Sequence, residues 1–172
     1  LAAAFSRLSS ERRSEAHRET LAERTAELET LTHTNAIVEA LGDQLFDAST
    51  REEIEETVCA VLTDFDRYRF AWIGGTESRT HTVVRRAAAG TEQGYLDWLV
   101  DHIAEAGCES VGEPTCRALT TGSPASVDRV SRDWQTEPWR KEALSRGHQS
   151  MLSVPLTHNG ISYGVLSIYA AT

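Results

Sequence analysis

The chain has 172 residues and a net charge of −9, from 26 acidic and 17 basic side chains. Its apolar fraction of 40% supports one core, so the length reads as one domain of ordinary size plus an extension. The acidic balance argues against direct nucleic-acid binding, which needs a basic face; no apolar run is long enough to span a membrane, and no signal peptide is evident.

Lys141 is the only lysine. An acidic surface that carries arginine in place of lysine suits a salt-rich cytoplasm, where screening limits self-repulsion. The chain opens on Leu and stops inside a strand pattern, so a piece of a longer protein is expected.

Residues 1 to about 47 read as one long helix, without Pro and without Gly before Gly42. Leu21, Leu28 and Asn35 fall seven apart, and Leu31, Val38 and Leu45 repeat that interval three positions on. This is an a/d heptad pattern with one Asn at an a position, where paired asparagines fix the register of a parallel dimer. The expectation is a homodimer through Leu21, Leu28, Leu31, Asn35 and Val38, with residues 1–32 as a signalling helix and 33–172 as the domain. A solvated helix packed on its own domain is the competing reading.

Ser49 with Glu52, or Thr50 with Glu53, makes a capping box that starts a second helix. Ile54, Val58, Val61, Leu62 and Phe65 give it an apolar stripe, with Cys59 beside it as a core thiol. Phe70 to Ile73 predicts a strand ending at Gly74-Gly75, and His81 to Ala89 its neighbour. Tyr95, Leu99, Ile103 and Ala106 form a second helical stripe stopped by Gly107. Pro114 opens a short helix that Gly122 ends, Ala125 to Val127 is a short strand, and Pro138 opens a helix that Gly147 closes.

The last stretch, His148 to Tyr169, holds two apolar runs around Asn159-Gly160, the pair that best tolerates the positive φ angles of a two-residue hairpin turn. That turn sets Leu156 against Tyr163, Val154 against Val165 and Leu152 against Ser167 on one face. Both faces of the hairpin carry apolar residues, so central strands covered on both sides are expected. Pro155 cannot donate to a ladder and marks a bulge or strand end. Helices that precede and interrupt an antiparallel sheet make the class α+β.

No nucleophile elbow, phosphate-binding loop, zinc helix or dinucleotide fingerprint occurs, so neither enzymatic activity nor catalytic residues are expected. The histidines at 17, 33, 81, 102, 148 and 158 make no spaced metal pair. The three cysteines are too few and too irregular for a disulfide framework. Cys108 and Cys116 form a redox-sensing pair if both thiols are exposed near the helix start, where thiolate is favoured; spacing alone cannot place them within bonding distance, so two unrelated thiols are the favoured reading.

Three segments, in this order, carry a resemblance. They are Tyr68-Arg69-Phe70-Ala71-Trp72-Ile73-Gly74, then Thr136 to Leu144 ending at Arg146-Gly147, then the Ser-x-x-x-Val-Pro-Leu run at Ser150 with Tyr163-Gly164-Val165-Leu166-x-Ile168. From about residue 33 to 171 the chain resembles the GAF domains of bacterio-opsin activator-like regulators of halophilic archaea. The resemblance implies a GAF-like (profilin-like) central antiparallel sheet with helices on both faces, in a cytoplasmic regulator of transcription. It also implies a small-molecule pocket on one sheet face, walled by Trp72, Trp98, Cys116, Ser126, Ser150 and Ser153. The motifs of cyclic-nucleotide-binding and tetrapyrrole-binding members are absent, since Arg117 follows Cys116 and lysine is nearly missing. The cofactor therefore stays unknown. Two alternatives remain beside the sensor: a ligand-free dimerisation and spacer module, and a cysteine-dependent sulfoxide reductase.

Overall fold

The computed structural model describes residues 2–76, 82–132, 135 and 137–171, with backbone alone for 2–14 and 16. His81, expected to start the second strand, and Trp134 lie outside the described residues. Residues 1–42 and 43–172 form two compact units.

Helix α1 runs Ala2–Leu45. Thr25, Thr30 and Thr34 turn their hydroxyls back to the carbonyls of Leu21, Ala26 and Thr30, which satisfies them without breaking the helix. The heptad side chains Leu21, Leu28, Leu31 and Val38 are all more than half exposed.

In the second unit α2 (Arg51–Asp64) starts at Thr50, and the capping box is the Thr50–Glu53 pair. The Glu53 carboxylate accepts from the Thr50 and Ser49 backbone at 3.0 and 2.7 Å. Then follow β1 (Phe70–Thr76), β2 (Val83–Gly90), α3 (Tyr95–Ala106), α4 (Cys108–Val111), α5 (Pro114–Thr121), β3 (Ala125–Val127), α6 (Pro138–Ser145), β4 (Ser150–His158) and β5 (Ile161–Ala170). The single-turn α4 is the one element that the sequence left irregular. Strand order is β2-β1-β5-β4-β3, with every pairing antiparallel. The closing hairpin therefore lies inside the sheet, as expected.

Its register differs from the one the turn alone would set. Asn159 and Gly160 do turn at φ 50° and 77°, and His158 pairs with Ile161. Between Leu156 and Thr157 the ladder slips by one, so Leu156 pairs with Gly164, Ser153 with Ser167 and Leu152 with Ile168. Tyr163 is the extra residue, in a bulge next to Pro155. Its carbonyl accepts from Arg51 at 2.7 Å and Arg86 at 2.6 Å. Both arginines also bind the buried Glu55 carboxylate, at 2.7 and 3.0 Å, so a charge network fastens α2 to β2 and the bulge.

The slip decides which side chains face inward. Phe70, Tyr169 and Met151 form one row across the inner face, and Trp72, Ser167 and Ser153 the next. Helices α3, α5 and α6 cover these rows with Tyr95, Leu96, Leu99, Ile103, Cys116, Ala118, Trp139 and Ala143, all buried. The opposite face carries Ala71 and Ile73 beneath α2, whose Cys59, Val61 and Leu62 are buried. Cys59 is a free core thiol, pushed up to about 12 by burial and then by Glu55.

Gly164 sits at φ 139°, where a Cβ would lie 2.2 Å from the Gly74 carbonyl oxygen. Gly164→Ala is expected to lower stability in denaturant unfolding by about 2–4 kcal/mol. Gly42→Ala, whose Cβ meets nothing within 4 Å, should instead raise helix stability by up to about 1 kcal/mol.

Candidate functional site: a buried carboxyl under a disulfide

Glu113 precedes Pro114, which opens α5, and its carboxylate caps that helix. One oxygen accepts from the Thr115 N–H at 2.7 Å, and the Cys116 N–H also points to the carboxylate. The other accepts from the Tyr169 hydroxyl at 3.0 Å, which itself accepts from the Trp72 indole N–H at 3.3 Å. The Thr115 hydroxyl bonds Ser167 at 2.8 Å, and Ser167 bonds Ser153 at 2.8 Å. Glu113, Thr115, Ser153, Ser167, Trp72 and Tyr169 are all fully buried. The two serines are small enough for the α5 N-terminus to settle on the middle of the sheet.

Among the described residues no basic side chain lies within 4.0 Å of Glu113. Burial therefore dominates and raises its carboxyl to about 7, against the hydrogen bonds from Thr115, Tyr169 and Cys116.

A disulfide joins Cys108, the first residue of α4, to Cys116 in α5, with their Cα atoms 5.0 Å apart. The ring of chain it closes contains Glu113. The two candidate redox cysteines are thus brought together, and the turn between their helices passes through Gly112 at φ 68°.

The other expected pocket residues divide. Trp72, Cys116 and Ser153 meet on the inner face. Trp98 is half-buried on α3, stacked on His102 at 4.8 Å. Ser126 and Ser150 lie on the opposite face, along a groove of about 260 Å³ with Leu152 and Ile168. Ser150 and Ser153 are three apart on one strand, and period-two alternation sends them to opposite sides.

Sequence reading missed Glu113, Thr115, Ser167 and Tyr169. It also missed a second group beside them. The His148 ring is fully buried among Phe70, Tyr95 and Tyr169, at centroid distances of 6.0, 5.3 and 5.2 Å. Burial, then Arg69, lowers it to about 4, so it is neutral. Neither ring nitrogen, nor the Tyr95 hydroxyl, nor the Trp139 N–H closes a hydrogen bond of full geometry. The signals were weak but present: an acid ahead of Pro114 at a helix start, and a lone Ser167 inside an apolar strand.

With five antiparallel strands among the described residues, α2 on one face and α3–α6 on the other, the domain is of the α+β class. A family model described as GAF domain matches residues 48–172. The chain belongs to the GAF domain family. It is 36% identical over 75 residues to a candidate transcriptional regulator of Haloferax volcanii, a match that takes in 44% of this chain and 11% of that protein. The chain thus spans about a tenth of the length of that relative. Among solved structures it is similar to the fRMsr of Staphylococcus aureus in complex with substrate, with TM-score 0.57 and 15% identity over 80% of this chain and 78% of that one. It is likewise similar to the nlh2 GAF domain of A. aeolicus in an inactive state, with TM-score 0.53 and 18% identity over 81% and 80%. These structural likenesses show the fold.

Between pH 4.5 and 7 folded Glu113 keeps a proton that the unfolded chain has released, so stability falls as pH rises through that window. His148 acts oppositely: from pH 4 to 6.5 the unfolded chain holds the extra proton, and stability rises with pH. Glu113→Gln removes the falling limb alone. The stability difference between Glu113→Gln and the parent chain should shift by about 3 kcal/mol in the variant's favour from pH 4.5 to pH 8, read from denaturant midpoints.

Proposed function

We propose that this GAF domain is the sensory module of a cytoplasmic transcription regulator, and that it reads thiol–disulfide state at Cys108 and Cys116. The observation that supports it is the placement of the disulfide: it closes the ring of chain that holds Glu113 buried against Trp72 and Tyr169. In a reducing compartment a disulfide is usually a switch or a catalytic pair rather than a staple. A cellular dithiol would deliver two electrons and two protons, breaking the S–S bond to two thiols and becoming a disulfide itself. The ring then opens, and a carboxyl that burial disfavours is free to seek water.

The signal would pass through a homodimer of α1. Leu21, Leu28, Leu31 and Val38 are exposed in the single chain, and burying them with Asn35 at an a position is what a parallel coiled coil does. Light scattering should give a dimer mass for the parent chain and a monomer for Leu28→Glu/Leu31→Glu. A parent chain that is monomeric at the same concentration rules the dimer out.

Two further readings have their own support. The polar atoms of Tyr95, Trp139 and His148 that close no hydrogen bond of full geometry favour a small polar ligand seated on the inner face, in keeping with the expected pocket. A rise in unfolding temperature with a candidate molecule would reveal it. The fold likeness to fRMsr, a free methionine-R-sulfoxide reductase, favours a cysteine-dependent enzyme. Sulfoxide turnover that vanishes in Cys116→Ser would establish that activity.

For the sensor, reduction by dithiothreitol should lower unfolding stability by about 2.5 kcal/mol and speed amide exchange across residues 108–121. Cys116→Ser should mimic the reduced chain under both conditions. Exchange in this segment that is the same with and without reductant sinks the redox reading.

A further inference from the structure

On an acidic chain, four arginines gather around one cavity. Arg117 on α5, Arg129 and Arg132 after β3, and Arg140 on α6 line a cleft of about 510 Å³ beside the edge strand β3. Two of the four are held in place by the fold. Arg117 donates to the Ser126 carbonyl at 3.3 Å, and Arg140 lies over the Trp139 ring at 4.6 Å while paired with Glu137. Arg129 and Arg132 are exposed, and among the described residues neither has a carboxylate within 4.0 Å.

Guanidinium groups that line one cleft repel one another unless an anion lies between them. Each offers a flat fork of donors that matches the oxygens of a phosphate. Asp128 lines the same cleft and Glu137 pairs with Arg140, so among the described residues two carboxylates face the four arginines. The remaining surplus of two positive charges, centred on the exposed Arg129 and Arg132, is more than a monoanion balances. A group with two linked phosphates carries roughly three to four negative charges near neutral pH. The volume falls in the range of small-molecule sites, roughly 300–1,000 Å³.

We propose that this cleft is a binding site for a small diphosphate-bearing ligand. The phosphates sit between Arg129 and Arg132, with Arg117 and Arg140 as the pre-positioned pair. Asp128 faces the part of the ligand that carries hydroxyl or amino donors. The site is separate from the buried inner face, and it shares with it helices α5 and α6.

The test uses the whole chain and inorganic pyrophosphate, with orthophosphate as the single-phosphate control, by titration calorimetry at fixed salt. Pyrophosphate should bind at least about ten-fold more tightly than orthophosphate, and Arg129→Gln/Arg132→Gln should weaken it about ten-fold or more. Both side chains are exposed, so the variant's unfolding temperature should match the parent's. Asp128→Asn should tighten pyrophosphate several-fold, because it removes the carboxylate that lines the cleft. The proposal is overturned by equal affinity for the two anions, by pyrophosphate binding that survives the double substitution, or by no heat of binding at all. A hexaglutamate peptide that binds where pyrophosphate does not would overturn it too, and mark the cleft as a protein-docking surface.

Discussion

A carboxyl group buried with no cation beside it among the described residues is the constraint around which this domain is arranged. Glu113 is shut off from water, and among the described residues its oxygens are met by neutral donors, chiefly the α5 backbone and the Tyr169 hydroxyl. Such donors soften the cost of burial without cancelling it, which is why the acid titrates near neutrality and not in the usual carboxylate range. Something must hold it there. The capped helix does so from one side, the Trp72–Tyr169 pair from below, and the Cys108–Cys116 bond closes the loop above.

The floor of that arrangement depends on a feature at the far end of the sheet. The bulge at Tyr163 shifts β5 by one residue against β4, and with it turns Ser167 and Tyr169 opposite Ser153 and Met151. Without the extra residue, Leu152 would face Ser167, and the serine pair under Thr115 would not exist. The bulge is stabilised by the glycine that follows it and by two arginines that take up the stranded carbonyl. Glu55 between them is nearly buried, yet its two cations and their hydrogen bonds meet the condition under which a buried charge is tolerable.

Local chemistry made most of the fold legible. Pro114 and Gly122, Pro138 and Gly147, and the Thr50–Glu53 box each mark an end by a rule of short range, and those ends lie where the rules put them. The hairpin turn was legible for the same reason. Its register was not, because a bulge is settled by what reaches the freed carbonyl, and Arg51 and Arg86 come from elsewhere in the chain. The site suffered in consequence. Ser126 and Ser150 were grouped with Ser153 although alternation separates Ser150 from it. Glu113 was passed over because a charged residue is assumed to be solvated unless a partner is visible in sequence, and here the partners are a backbone and a tyrosine 56 residues away. The disulfide was equally out of reach: spacing sets loop length, not distance.

Helix α5 is where these separate features converge. Successive residues of a helix point about 100° apart, so a single turn can aim one side chain into the sheet, one at a neighbouring helix and one outward. Thr115 reaches the serine pair, Cys116 bonds Cys108, and Arg117 reaches Ser126 at the rim of the arginine-lined cleft. An element of eight residues has too few internal hydrogen bonds to stand by itself. Its position therefore rests on the Glu113 cap, the disulfide and the packing of Cys116 and Ala118. Removing one of the three releases only a few kcal/mol, far less than unfolds a sheet. It is nevertheless comparable to the gap between two conformations of a weakly held segment, and that is the scale on which a chemical change at one bond becomes a change in population.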